Sequence, residues 1–272
     1  MLKRSRTSLL SLLLAIFLVA GACTDSEMPV EIEPLTYTQV EETFVKKDCG
    51  EAQDSCLVVS VAYPEYSGKQ PLADSLNKLV KDFVLTGQQG EHFDGFGGLK
   101  AHYDTMYVEL MEDSGLPVQP WTITTSAELI WESESFYSFE MHDSRYTGGA
   151  HGSYTTVLTT FDAEAMNSIR SPEILFKEGS YGTALEIFEQ QFRKSNGISS
   201  DESLSEAGFW FEEEEFVLNN NIALTETGIR IFYNHYEIAP YAAGTFEITV
   251  PYSDLKLILA DHFKELAKID SE

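Results

Sequence analysis

The sequence predicts an α+β fold, antiparallel sheets with packed helices, in two small domain halves. Three observations predict it. Aromatic and β-branched segments recur between short turns, as strands do. The helical stretches flank grouped strands, with no regular βαβ alternation. With 43% hydrophobic and 12% aromatic residues, the 272-residue chain can bury the cores this requires.

Residues 1–22 read as a targeting segment. Lys3, Arg4 and Arg6 precede the apolar run Leu9 to Val19, interrupted only by Ser11, and Ala20-Gly21-Ala22 leads into Cys23. The arrangement resembles a bacterial lipoprotein signal, which implies lipid on Cys23. The alternative is an ordinary secretory peptide cut near Ala22, leaving a free thiol. The run is shorter than the roughly 20 apolar residues of a spanning helix. The expected location is the cell envelope, with the lipid anchored in the outer membrane, on its periplasmic or surface face. Residues 23–35 form an acidic, proline-containing tether.

Removing residues 1–22 takes away three of 18 basic residues and none of the 44 acidic ones, leaving a charge of −29. Such a field repels nucleic acid and attracts cationic partners, although solubility alone explains it. Cys49 and Cys56, seven positions apart in an exported chain, predict a disulfide closing a turn-like loop. No CxxC redox motif is present.

The N-terminal half, residues 36–165, begins with strands over Tyr37 to Lys47 and Leu57 to Tyr63, a hairpin tied by that disulfide. Pro71 to Leu85 has a helical stripe of Leu72, Leu76, Leu79, Val80, Phe83 and Val84. A glycine-rich connector over 90–98 follows, then a helix from Leu99 to Met111 with Tyr103, Met106, Tyr107 and Leu110 inward. His92 and Asp94 on the connector are too few to hold a metal tightly, so no metal or cofactor is expected. Thr122 to Trp131, Ser135 to Tyr146 and Ser153 to Phe161 predict an antiparallel meander.

The turn closing that meander, Tyr146-Thr147-Gly148-Gly149-Ala150-His151-Gly152, is the most distinctive stretch. Its glycines reach positive φ without steric cost, so it could be a scaffold corner or the lip of a binding site. Tyr146, Gly148, Gly149 and His151 are candidate binding residues. Ser144, Ser153 and Asp143 lie near His151 in sequence, but no strained elbow surrounds a nucleophile, so no catalytic residue is expected.

The C-terminal half, residues 166–272, predicts a helix over Tyr181 to Arg193 and a polar loop from Asn196 to Gly208. Phe209-Trp210-Phe211, beside Glu212 to Glu215, reads as an exposed aromatic anchor rimmed by charge, with Trp210 a candidate contact. Strands follow over Phe216 to Leu224, Gly228 to Tyr233 and Thr245 to Val250. A last helix, Leu255 to Ala267, is capped by Ser253 or Asp254.

Two motifs together carry a family resemblance: Tyr146 to Gly152, and Tyr236-Glu237-Ile238-Ala239-Pro240-Tyr241-Ala242-Ala243-Gly244 followed by Ile248 to Leu255. The pairing resembles the extracellular domain of RsiV-type lysozyme-sensing anti-sigma factors. It is similar also to the region preceding the catalytic domain of PdaC-type peptidoglycan deacetylases. The resemblance spans residues 36 to 267 and implies two domain halves meeting near residue 165. It adds Tyr236 and Tyr241 as candidate binding residues, although core packing beneath the sheet is the expected role of that loop. No sigma-binding segment and no metal-dependent domain accompany the resemblance in the sequence. The expectation is a non-enzymatic envelope lipoprotein binding an extracytoplasmic ligand, lysozyme or a cell-wall glycan. The alternative is an envelope hydrolase using the glycine turn and His151.

Overall fold

A six-stranded sheet runs in sequence order, β1 (Thr36–Lys46), β2 (Leu57–Ser67), β3 (Trp121–Glu132), β4 (Phe136–Tyr146), β5 (Ser153–Asp162) and β6 (Asn167–Ser168). This computed structural model describes residues 33–47, 56–114 and 119–271, with side chains as far as Ala267. Cys23 and Cys49 lie outside the described residues, as do the signal and most of the tether. Cys56 is buried at the start of β2.

The β3–β4–β5 meander is antiparallel as predicted, Thr122 pairing with Tyr146 and Arg145 with Ser153. β2 and β3 are parallel, because α1 (Leu72–Val84) and α2 (Phe96–Ser114) form the crossover between them. α1 buries Leu72, Ala73, Leu76, Val80 and Val84, as its stripe predicts. α2 begins inside the glycine-rich connector and buries Leu99, Tyr103 and Tyr107, while Leu110, expected inward, is exposed. Both helices share a core with the inward side chains of β2, β3 and β4. Among the described residues, no helix is long and apolar enough to cross a membrane.

A second, antiparallel sheet consists of β7 (Ile222–Leu224), β8 (Gly228–Tyr233) and β9 (Phe246–Pro251). It shares a core with α3 (Tyr181–Asn196), whose Ala184, Phe188 and Phe192 are fully buried. Three expectations fail here. Phe209 and Phe211 are buried, packing edge-on against Phe192 at 4.9 and 5.7 Å between centroids, and only Trp210 projects outward. The strand expected from Phe216 shrinks to β7, because Asn219 and Asn221 bond to neighbouring backbone through their side chains. The last helix is divided into α4 (Tyr252–Leu255) and a 3-10 segment, Asp261–Ser271. Between them, Leu259 bridges Phe176, and Ala260 donates to the Leu175 carbonyl at 2.9 Å. That carbonyl replaces the intrahelical partner a continuous helix would have given Ala260.

Residues from Glu33 onward form one compact unit containing both cores. β4 serves the two at once: Tyr137, Phe139 and Met141 face α1 and α2, whereas Phe136 joins the C-terminal core. Ser138 and Thr160 share a buried hydrogen bond of 2.8 Å, and Thr160 Oγ1 accepts from the Leu224 amide at 2.9 Å. Arg230 on β8 pairs with Glu140 on β4 at 2.6 Å.

Candidate functional site

The glycine turn lies between β4 and β5, where the sequence places it. Gly148 and Gly149 both have φ near +98°, which a β-branched side chain resists. The Tyr146 hydroxyl stitches the turn together, 2.6 Å from Gln119 Oε1 and 3.0 Å from the Gly149 carbonyl oxygen. The Gly149 amide donates to the same Gln119 oxygen at 3.2 Å. Tyr146 is thus a brace for the turn. Gln119 has no signal in the sequence, because its partner lies 30 residues on.

His151 leaves this turn and stacks on Tyr241, with centroids 4.8 Å apart and planes 22° apart. His235 stacks on Tyr241 at 4.5 Å and 27°, and Tyr236 leans against it at 5.5 Å. The two motifs therefore meet in space. Tyr236 and Tyr241 do not pack beneath the sheet as expected. Ile238 and Ala239 take the buried places in that loop, and Tyr236 is 58% exposed. Tyr236 takes a left-handed backbone with φ of 66°, and Tyr241 opens a 3-10 turn, Tyr241–Ala243, so neither ring follows Ile238 and Ala239 inward.

One clamp sets this arrangement. The Asn234 side chain behaves as a peptide group toward the edge of β5, accepting from the Thr156 amide at 2.7 Å and donating to its carbonyl at 2.9 Å. Asn221 does the same one step along, accepting from the Leu158 amide at 2.5 Å and donating to the Thr156 carbonyl at 2.8 Å. The strand edge is satisfied by side chains instead of another strand, and the His235–Tyr241 loop is held against the turn.

Between the two lies a cleft of about 700 Å³. Phe83 with Gly87, Gln88 and Gly90, from the end of α1 and the stretch after it, forms its third wall. Tyr154, 51% exposed, stands at its rim. Asp143 and Arg145 sit in the cleft as a largely buried ion pair, and Arg145 Nη2 also donates to the Thr86 carbonyl at 3.0 Å. Burial pushes the Asp143 carboxyl above the ordinary aspartate range, and the adjacent guanidinium only partly offsets this. Beneath them, burial pushes the Tyr103 hydroxyl up to about 12, so it stays neutral. Arg145 Nε and His235 Nδ1 are buried without a hydrogen-bond partner among the described residues.

His151 Nδ1 lies 3.0 Å from the Gly152 carbonyl oxygen, a contact in which that nitrogen donates. Trp210 stands outside the cleft, although its amide donates to the Ile238 carbonyl at 2.8 Å and ties it to the Tyr236–Tyr241 loop. Among the described residues, no group of three or more metal-ligating side chains occurs. Sequence reasoning passed over Arg145 and weighed Asp143 only as a catalytic acid, yet both carried a signal. Both continue the inward register of Tyr137, Phe139 and Met141, so a period of two places charge on a core face.

A family model described as the deacetylase PdaC matches residues 51–154, and one described as a protein of unknown function (DUF3298) matches residues 173–253. The peptidoglycan-N-acetylmuramic acid deacetylase PdaC of Bacillus subtilis is 29% identical over 127 residues, covering 46% of this chain and 26% of that protein. The chain thus spans about a quarter of that relative's length. Two crystal structures share the fold. A DUF3298-family member from Bacteroides fragilis is 20% identical, with a TM-score of 0.67 over 89% of this chain and 99% of its own. A second, from Pseudomonas aeruginosa, is 19% identical, with a TM-score of 0.61 over 85% and 96%. At such identities the likeness shows the fold alone. The glycine turn falls in the first matched region and the Tyr236–Gly244 motif in the second, so the cleft forms where the two regions meet. With the two regions matched in chain order, these likenesses support placing the chain with the PdaC-type/DUF3298 domain family.

Proposed function

We propose that this protein is a non-enzymatic lipoprotein of the cell envelope whose cleft binds a cell-wall glycan. The observation that carries the reading is the aromatic wall: Tyr241 held between two imidazoles, with Tyr236 beside it and Tyr154 at the rim. The imidazoles cover the faces of Tyr241, which props the wall, and the exposed rings of Tyr236 and Tyr154 offer the electron-rich faces that attract the weakly positive C–H faces of sugars. Asn234, Gln88 and Thr155 add neutral hydrogen-bonding groups, and the cleft volume suits a small ligand. The acidic chain has one carboxylate in this lining, Asp143, and it is already paired. A relative acting on a peptidoglycan sugar supports a cell-wall-related role.

His151 supports binding over hydrolysis. Its ring is stacked, and its hydrogen bond goes to backbone instead of to a serine or a carboxylate. Anchoring through Cys23 belongs to the same proposal, and Cys23→Ser should release the protein from the membrane fraction. Retention of the variant there would remove the lipid from the proposal.

Calorimetry with N-acetylglucosamine oligomers tests the cleft. Tyr236→Ala is expected to weaken binding by about tenfold or more, as loss of an aromatic anchor does. Melting should change little, since that residue is exposed. Equal affinities of variant and wild type, or sugar turnover abolished by His151→Ala, would overturn the reading. Lysozyme is the companion titration at about 0.15 M salt, where long-range attraction is screened. Binding that persists there and needs the exposed Trp210 would replace the glycan with a protein partner.

A further inference from the structure

The loop carrying Tyr241 has a second side. Tyr241 faces the cleft, while Ala239, Pro240 and Ala243 line a separate depression of about 570 Å³. The exposed residues Ala242 and Ala243, followed by Gly244, form a low crest beside it. Ile198, Phe209 and Phe246 give the depression an apolar floor, the two phenyl rings meeting edge-on at 5.0 Å. Gly197, Ala207 and Gly208 add little bulk. Its one ionisable lining residue is Glu202, and it opens at the C-terminal end of α3. The Glu202 carboxylate favours a cation over an anion there, while Arg193 and Lys194 in the last turn of α3 already offset the negative end of that helix.

Building on the glycan reading of the cleft, we infer that this depression is a second subsite. It takes a short, amine-bearing aliphatic peptide arm carried on the same glycan. The chemistry of the two sides differs in that sense. Rings and amides on one side suit a sugar, while an apolar floor with one acid on the other suits an alkyl chain ending in an ammonium. Small residues on the crest let one covalent ligand pass from the first to the second without a steric barrier. Once the sugar is held, the arm binds at the high effective concentration set by its tether.

Calorimetry on the full mature chain tests this with two probes: a muropeptide disaccharide bearing a tripeptide that ends in a diamino acid, and the same disaccharide without peptide. The peptide-bearing probe is expected to bind about tenfold tighter or more. Ala243→Trp, which fills the depression from an exposed position, should abolish that gain and leave the bare disaccharide unaffected. Glu202→Gln should reduce the gain without touching the disaccharide. Equal affinity for the two probes, or a loss on Ala243→Trp that is the same for both, overturns the second subsite while the cleft reading stands. Failure of both probes to bind overturns the two together.

Discussion

Gly228→Ala is expected to lower stability by about 2–4 kcal/mol, although it adds a single methyl group. A Cβ at this position would lie 2.2 Å from the Val250 carbonyl oxygen and 2.8 Å from its carbon. Both are backbone atoms of the partner strand, so no side chain can swing aside. β8 would have to move from β9 at the point where Gly228 pairs with Pro251. The cost spreads from there, because Ile229, Ile231, Ile248 and Val250 pack from these two strands into the C-terminal core. Thermal unfolding should show a midpoint lower by roughly 4–16 °C, given about 2–4 °C per kcal/mol in a chain of this size. A midpoint within about 1 °C of wild type would mean that the contact relaxes freely and the strand pair is not under this constraint.

The second large effect concerns the ion pair in the cleft. Arg145→Met should cost about 3–5 kcal/mol near neutral pH, because it leaves the Asp143 carboxylate buried without a counter-charge. The pH dependence has a definite sign. Burial already holds the Asp143 carboxyl above its unfolded value. Such a group contributes stability that is fully present below the unfolded pKa of about 3.9 and lost as pH rises through the folded pKa. Removing the guanidinium raises the folded pKa further, so the variant's deficit is widest at neutral pH and narrows toward pH 4. Asp143→Asn combined with Arg145→Met removes the orphaned charge and should recover most of the loss. Denaturant unfolding across this range checks both points. A deficit that does not change with pH, or a double variant no better than the single one, would mean that Arg145 acts through its bond to the Thr86 carbonyl instead.

Legibility in the sequence followed the range of the forces. The helix over Leu72–Val84 was readable because its apolar period is complete within itself. The glycine turn and the meander were readable for a related reason: consecutive strands joined by short turns pair with each other. The candidate site was half legible. Its motifs stood out, yet core packing was the expected role of Tyr236 and Tyr241, since the loop around them is apolar with small residues.

What the sequence by itself determined is the α+β class, the main strands and helices and the special backbone of the Gly148–Gly149 turn. Each depends on local periodicity or on the steric freedom of single residues. Only the tertiary structure decided the rest. Phe209 and Phe211 are buried because Phe192 reaches them from another element, and the last helix breaks because the strand-like segment at Phe176 competes for its backbone. The cleft exists because Asn234, 78 residues from Thr156, reproduces a missing strand partner there and brings Tyr241 onto His151. Such contacts join distant positions, and no spacing along the chain encodes them.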